Sequence, residues 1–210
     1  KSNMPKPEKT GKDLAQFNIK NAVYAVDGES SSVKPLTWMN TFTKDRNITT
    51  RAFYGDGEMI VSLASDRNIS GTVGATARDD TFEEDIGVAI KPSGGGIAEI
   101  AVKSMPRIHF GFETDFVGAD GIRKTKKTWV FGMQVSPPND SFTQDQDDIT
   151  QSTADYSYTA YGVNLQAATG ETAYIDENGQ TVKVFTYSKK PEDDGYETFL
   201  DSVPVPKSAT

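Results

Sequence analysis

RIHFGFETDFVGADGIRKTKKTWVFGMQVSPP occupies Arg107–Pro138. In its first half Ile108, Phe110, Phe112 and Thr114 alternate against His109, Gly111, Glu113 and Asp115. In its second half Trp129, Phe131, Met133 and Val135 share one parity. A period of two is the signature of a half-buried strand. Gly118-Ala119-Asp120-Gly121 lies between the runs and supplies turn residues, so the stretch reads as an antiparallel hairpin.

Shorter runs on either side repeat the pattern. Ile19, Ala22, Tyr24 and Val26 form an imperfect strand closed by Asp27-Gly28. Leu36, Trp38, Asn40 and Phe42 alternate within Pro35–Phe42, and Asn47–Tyr54 is a weaker strand. In Asp66–Asp79, Ile69, Gly71, Val73 and Ala75 share a face. Tyr156, Tyr158, Ala160 and Gly162 do so in Thr153–Leu165, and Thr172–Tyr187 folds about Asn178-Gly179. With 18 Gly and 10 Pro, the chain is expected to be mainly β: a β-sandwich or barrel of antiparallel strands with one short flanking helix.

The helix signal lies after Asp79. Asp80 or Thr81 is expected to cap it, with Glu84 completing a capping box. Phe82, Ile86, Ala89 and Ile90 fall on one helical face, expected to pack on the sandwich over about three turns. Glu83, Glu84 and Asp85 suit the N-terminal end of the dipole. Gly94-Gly95-Gly96 is a joint, and Ile97–Met105 is compatible with helix or strand. Residues 1–16 read as a flexible N-terminal arm, 17–190 as the β-domain and 191–210 as a C-terminal extension with a short helical turn at Tyr196–Val203.

The chain has 210 residues, enough for one domain with a sizeable core. Its 22 basic and 30 acidic residues leave a net charge of −8, which disfavours nucleic-acid binding through clustered cations. With no cysteine there is neither a disulfide nor a thiolate metal site. No apolar run approaches membrane-spanning length, and no basic-then-apolar leader opens the sequence.

Catalytic constellations are missing. No Ser stands in a Gly-x-Ser-x-Gly frame, and no glycine loop ends in Lys-Ser or Lys-Thr. His109 is a lone strand histidine, read as structural. Asp145-Gln146-Asp147-Asp148 lacks the glycine and glutamate of a calcium loop. The paired carboxylates, Asp79-Asp80 and Glu83-Glu84 among them, read as surface charge. The expectation is no enzyme, no metal and no cofactor.

FYGDGEMIVSL (Phe53–Leu63) is the unusual stretch. Phe53, Tyr54, Met59, Ile60, Val61 and Leu63 crowd around Gly55 and Gly57. They are expected to form a loop that leaves the sandwich and buries on a neighbouring subunit or the next ring of an assembly. The alternative is a local hairpin whose apolar residues fold onto their own core.

Several stretches in order carry a resemblance: FNIKNAVYAVD, YGDGEMI, SDRNISGTVGATARDDTFEEDIGV, the Arg107–Ala160 block and a closing ETFLDSV. Over Phe17–Val203 the chain resembles the major tail tube proteins of long-tailed bacteriophages, the phi13-type family. The resemblance implies a virion protein, assembled in the bacterial cytoplasm, whose hexameric rings stack into a tube. Its partners would be itself, then tape-measure, tail terminator and baseplate proteins. Double-stranded DNA would pass without specific binding, and no membrane would be involved. About four strands per subunit would make an inner barrel of ~24 strands, with a free bore of roughly 36 Å. Six copies would carry about −48 per ring, repelling phosphate. Asp66, Asp79, Asp80, Asp147, Asp148 and Asp155 are the candidates for an acidic lumen or outer surface. The competing class is a carbohydrate-binding β-sandwich, with Trp38, Trp129 and Tyr156/Tyr158/Tyr161 stacking on sugar rings. A hydrolase is disfavoured by the missing nucleophile and base.

Overall fold

The computed structural model describes residues 15–29, 32–118, 120–141, 153–168, 170 and 172–208. Expectations for residues 1–14, and for Asp147 and Asp148, lie outside the described residues. The strands in chain order are β1 (Ala15–Val26), β2 (Lys34–Pro35), β3 (Met39–Phe42), β4 (Asp45–Gly55) and β5 (Glu58–Ala75). The helix α1 (Asp80–Asp85) follows, then β6 (Ala89–Ile90), β7 (Ala98–Glu99), β8 (Ile108–Val117) and β9 (Arg123–Val135). The last are β10 (Asn139–Ser141), β11 (Thr153–Ala160), β12 (Val163–Asn164), β13 (Lys183–Val184) and β14 (Thr186–Lys189).

One antiparallel sheet dominates, in the order β2-β1-β8-β9-β11-β5-β3. β10 adds to β11, β14 to β9 and β4 to β5. The sheet curls until β3 comes alongside β1, giving the expected mainly β sandwich with one short helix. Its interior holds Tyr24, Ile69, Val73, Ile108, Phe110, Met133 and Tyr156, all buried. No helix among the described residues is long and apolar enough to cross a membrane.

The β8–β9 hairpin forms as read, from Ile108↔Met133 to Val117↔Arg123. The parity along β9 does not hold. Phe110 opposes Val130 and Ile108 opposes Met133, so β9 carries one extra residue there. Gly132, at φ +64, sits inside that bulge. Trp129 and Phe131 therefore point away from the barrel into a second cluster with Phe199 and Leu200. Val130, Met133 and Val135 stay in the first. Gly132 N–H reaches His109 Nδ1 at 3.4 Å, and His109 Nε2 lies 3.4 Å from Asp27. Burial lowers the pKa of this imidazole.

The segment after residue 190, expected as an extension, is part of this second cluster. Trp129 Nε1 donates to the Phe199 carbonyl at 2.7 Å, and Lys127 Nζ donates to the Glu197 carbonyl at 2.8 Å. An indole N–H buried in apolar surroundings usually finds such an acceptor, and here the C-terminal segment supplies it. The Asn178-Gly179 turn is present, with Asp176 accepting from Asn178 N and Gln180 N, though its flanks make only isolated bridges.

The expected Pro35–Phe42 strand is split. β2 pairs with β1 and β3 pairs with β5, at opposite ends of the sheet. The chain crosses between them at Trp38, whose φ is +63 and whose side chain is exposed. Ile97–Met105 contributes only β7, paired with β6.

The helix is six residues long, shorter than expected. Its cap is Asp79, which accepts from Thr81 N and Phe82 N, leaving no role for a Thr81–Glu84 box. Gly87 at φ +75 ends it. Ala89 and Ile90 lie beyond it in β6, and Ile90 is exposed. Phe82 and Ile86 do pack on the barrel, Phe82 edge-on to Tyr24 and Tyr156. Glu83 overturns the surface-charge reading, because it is fully buried. Arg78 clamps it bidentately at 2.7 and 2.6 Å, and Tyr156 Oη donates to it at 2.8 Å. Two residues further on, Asp85 accepts from Tyr24 Oη and Lys34 Nζ, both at 2.7 Å.

Gly132→Ala would force an L side chain into the left-handed region and set its Cβ 3.0 Å from the Gly162 carbonyl oxygen. The expected loss is about 1–2 kcal/mol, read as a lower urea midpoint with an unchanged slope.

Candidate functional site: a protruding ribbon and an open seam

β11 pairs β5 only from Ile69 to Ala75. From there to Glu58, β5 has β4 as its single partner, Arg46↔Ile69 through Gly55↔Glu58. The result is a two-stranded ribbon, roughly 33 Å long at ~3.3 Å per residue. Its tip is Asp56-Gly57, both with positive φ (51° and 83°), the geometry of a primed two-residue hairpin turn. Phe53–Leu63 is thus a paired ladder and not a loop. Asp-Gly is the signal that would have shown this, and it stands plainly in the sequence.

The apolar residues of the ribbon do not fold onto their own core. Val61 is 43% exposed, Phe53 44%, Met59 59%, Tyr54 71% and Ile60 72%. The side chain of Leu63 lies outside those described. Phe53 opposes Val61 and Tyr54 opposes Met59, so Ile60 is the extra residue of a bulge. Consecutive exposed positions 59–61 mean that both faces of the ribbon meet solvent. Both of its edges are also unpaired over residues 48–55 and 58–68 within the described residues. An isolated two-stranded ribbon of this kind is marginally stable in water.

At the ribbon's root the barrel is incompletely closed. The seam between β1 and β3 is bounded at one end by the β1–β2 ladder, which Leu36 N extends by donating to the Ala22 carbonyl at 2.9 Å. Toward the start of β1 it opens into a cleft of about 780 Å³. Phe17, Ile19, Phe42 and Phe112 contribute apolar walls, and Lys44 and Lys126 also line it. Thr114 Oγ1, another lining atom, is buried without a hydrogen-bond partner.

β1 is bent along this cleft. Asn18 and Asn21 adopt positive φ (55° and 50°) at two register shifts against β8. Two carboxylates hold the bends. Asp115 accepts from Asn18 Nδ2 at 2.7 Å and Lys20 Nζ at 2.9 Å, and also binds Arg123 and Thr125. Glu113 accepts from Asn21 Nδ2 at 2.7 Å. The Lys20 bond first, then those from Asn18 and Arg123, hold the Asp115 carboxyl well below the ordinary carboxylate range.

Of the acids assigned to a lumen or outer surface, Asp80 and Asp155 are exposed. Asp66 is paired with Arg46, and Asp79 is consumed by capping α1 and by Thr37 Oγ1 at 3.0 Å. The aromatic set considered for sugar stacking is dispersed: Trp129, Tyr156 and Tyr158 are buried and Trp38 stands alone in solvent. No group of three or more candidate metal-ligating residues occurs among the described residues.

No family model matches the chain, and no curated protein matches it in sequence.

A carboxylate whose pKa is depressed by folding stabilises above its unfolded pKa, 3.8 for Asp115. That contribution fades as pH falls through the folded value. Asp115→Asn is therefore expected to unfold at lower urea than the parent at about pH 7, with the gap narrowing as pH drops below roughly 4. A gap that stays constant down the acid limb would contradict the role given to Asp115.

Proposed function

We propose that this chain is a structural subunit that assembles with copies of itself into hexameric rings stacked as the tail tube of a long-tailed phage. The observation that carries the reading is the β4–β5 ribbon. It exposes Phe53, Tyr54, Met59, Ile60 and Val61 on two faces and leaves two strand edges bare. A chain that remained alone would carry an apolar, edge-exposed hairpin, a hazard that proteins otherwise avoid. A neighbour that covers it turns the same feature into an interface.

The outer face of β5 and β11 suits the bore. Ser157 opposes Thr72, and Thr159 opposes Ser70, with Asp155 at the end of the row. This face alternates with buried Val73, Tyr156 and Tyr158, and presents hydroxyls and a carboxylate without a cation. Such a surface offers duplex phosphates nothing to hold. In this reading the protein is no enzyme and takes no cofactor. It works in the virion after assembly in the bacterial cytoplasm. Tape-measure, tail terminator and baseplate proteins would join it at the ends and along the bore.

Ile60→Asp with Val61→Asp is expected to leave a folded monomer and weaken association by more than a hundredfold, given about 1.5–3 kcal/mol for each large apolar side chain kept from water. Sedimentation velocity and negative-stain images read the result; rods of normal length from the double variant would refute the assignment. Thr72→Lys with Ser157→Lys is expected to preserve rods but make them retain duplex DNA in a salt-dependent manner. Unchanged DNA retention would remove this face from the bore.

A further inference from the structure

The ribbon and the cleft lie on one molecule and cannot meet within it. Lys44, at the cleft, immediately precedes β4. The tip of the same ribbon stands about 33 Å away at the end of a paired ladder. Any ribbon that enters the cleft therefore belongs to another copy.

The two surfaces match in chemistry. The tip, Gly55-Asp56-Gly57-Glu58, has two carboxylates and no cation, and aromatic and aliphatic side chains follow directly behind it. The cleft sets two lysines beside phenylalanine walls. Its flanks are the open portions of β1 and β3, strand edges that the barrel's own ladder leaves unjoined. Beside it, Lys44 and Arg46 meet Lys183 around a second hollow of about 240 Å³. Arg46 is already paired with Asp66, which leaves Lys44 as the cation shared by both hollows and opposite in sign to the tip.

We infer that the tip of the β4–β5 ribbon of one copy seats in the β1–β3 cleft of the next, with Asp56 and Glu58 against Lys44 and the apolar residues behind the tip against Phe17 and Phe42. This inference rests on the self-assembly reading and names the surface that receives the ribbon. The contact joins two different patches. It is therefore heterologous, and it propagates into a ring or a filament instead of stopping at a dimer.

Lys44→Glu, which reverses the cation at the cleft, is expected to reduce association at least tenfold while circular dichroism stays that of the folded chain. Adding Glu58→Lys is expected to restore it. Thr41→Trp, a plug in the cleft, should block assembly independently of charge. The chain has no cysteine, so Ile60→Cys on one copy and Thr41→Cys on another should form an intermolecular disulfide on oxidation. Rods that assemble normally from both Lys44→Glu and Thr41→Trp would overturn the cleft as receiver and leave the tube reading standing. Failure of Glu58→Lys to rescue would overturn the pairing of tip with cleft. A parent chain that stays monomeric at every concentration would overturn both readings together.

Discussion

A β-sheet has two ends, and backbone groups at those ends need partners or water. The dominant sheet here meets that requirement by curling until β3, at one end, comes alongside β1, the second strand from the other end, but it leaves part of the seam open. The β1–β2 ladder, extended by Leu36 N to the Ala22 carbonyl, bounds the seam at one end, and beyond it the seam stands open beside Phe17 and Phe42. The same incompleteness appears in β5, which outruns β11 and takes β4 with it into solvent. Ribbon and seam are two expressions of one fact: the strands of this chain exceed what its own core can cover.

The rest of the molecule is firmly held. The six-residue helix is too short to persist by hydrogen bonding alone. It is fixed by the apolar contacts of Phe82 and Ile86 and by two carboxylates that accept tyrosine hydroxyls from the barrel. Glu83 is buried, and Arg78 and Tyr156 satisfy both its oxygens. Removing one partner of such a cluster costs far more than its net contribution to stability, because the remaining charge stays in a poor solvent. The helix thus plugs the barrel at a specified position.

Much of this was legible in the chain. The period-two runs located the central hairpin, the Ile69–Ala75 face and the Tyr156–Ala160 face, with burial alternating cleanly along β11, while the parity assigned to β9 failed. The misreadings have definite causes. Gly132 shifts the parity of β9, and a single glycine in an alternating run does not announce a bulge. Trp38 looks like a strand residue until the two ends of the sheet claim its neighbours. Glu83 looks like a surface acid because its partners, Arg78 and Tyr156, are supplied by tertiary structure. For the ribbon, the apolar cluster was visible and Asp56-Gly57 specified the turn, but exposure on both faces follows from where β11 stops. The cleft left no local trace, because its walls come from strands nearly a hundred residues apart.

The bulge at Gly132 has a further effect on how the molecule breathes. It divides the apolar interior into two compartments that meet at β9, one inside the barrel and one beneath Phe199 and Leu200. The outer compartment is closed by a segment of turns, anchored chiefly through the Trp129 indole and the Lys127 ammonium. Lifting that segment would expose Trp129 without breaking the β8–β9 ladder. Amides near the end of the chain are then expected to exchange through a shallower opening than those of β8 and β9, which would make two tiers of cooperativity within one domain.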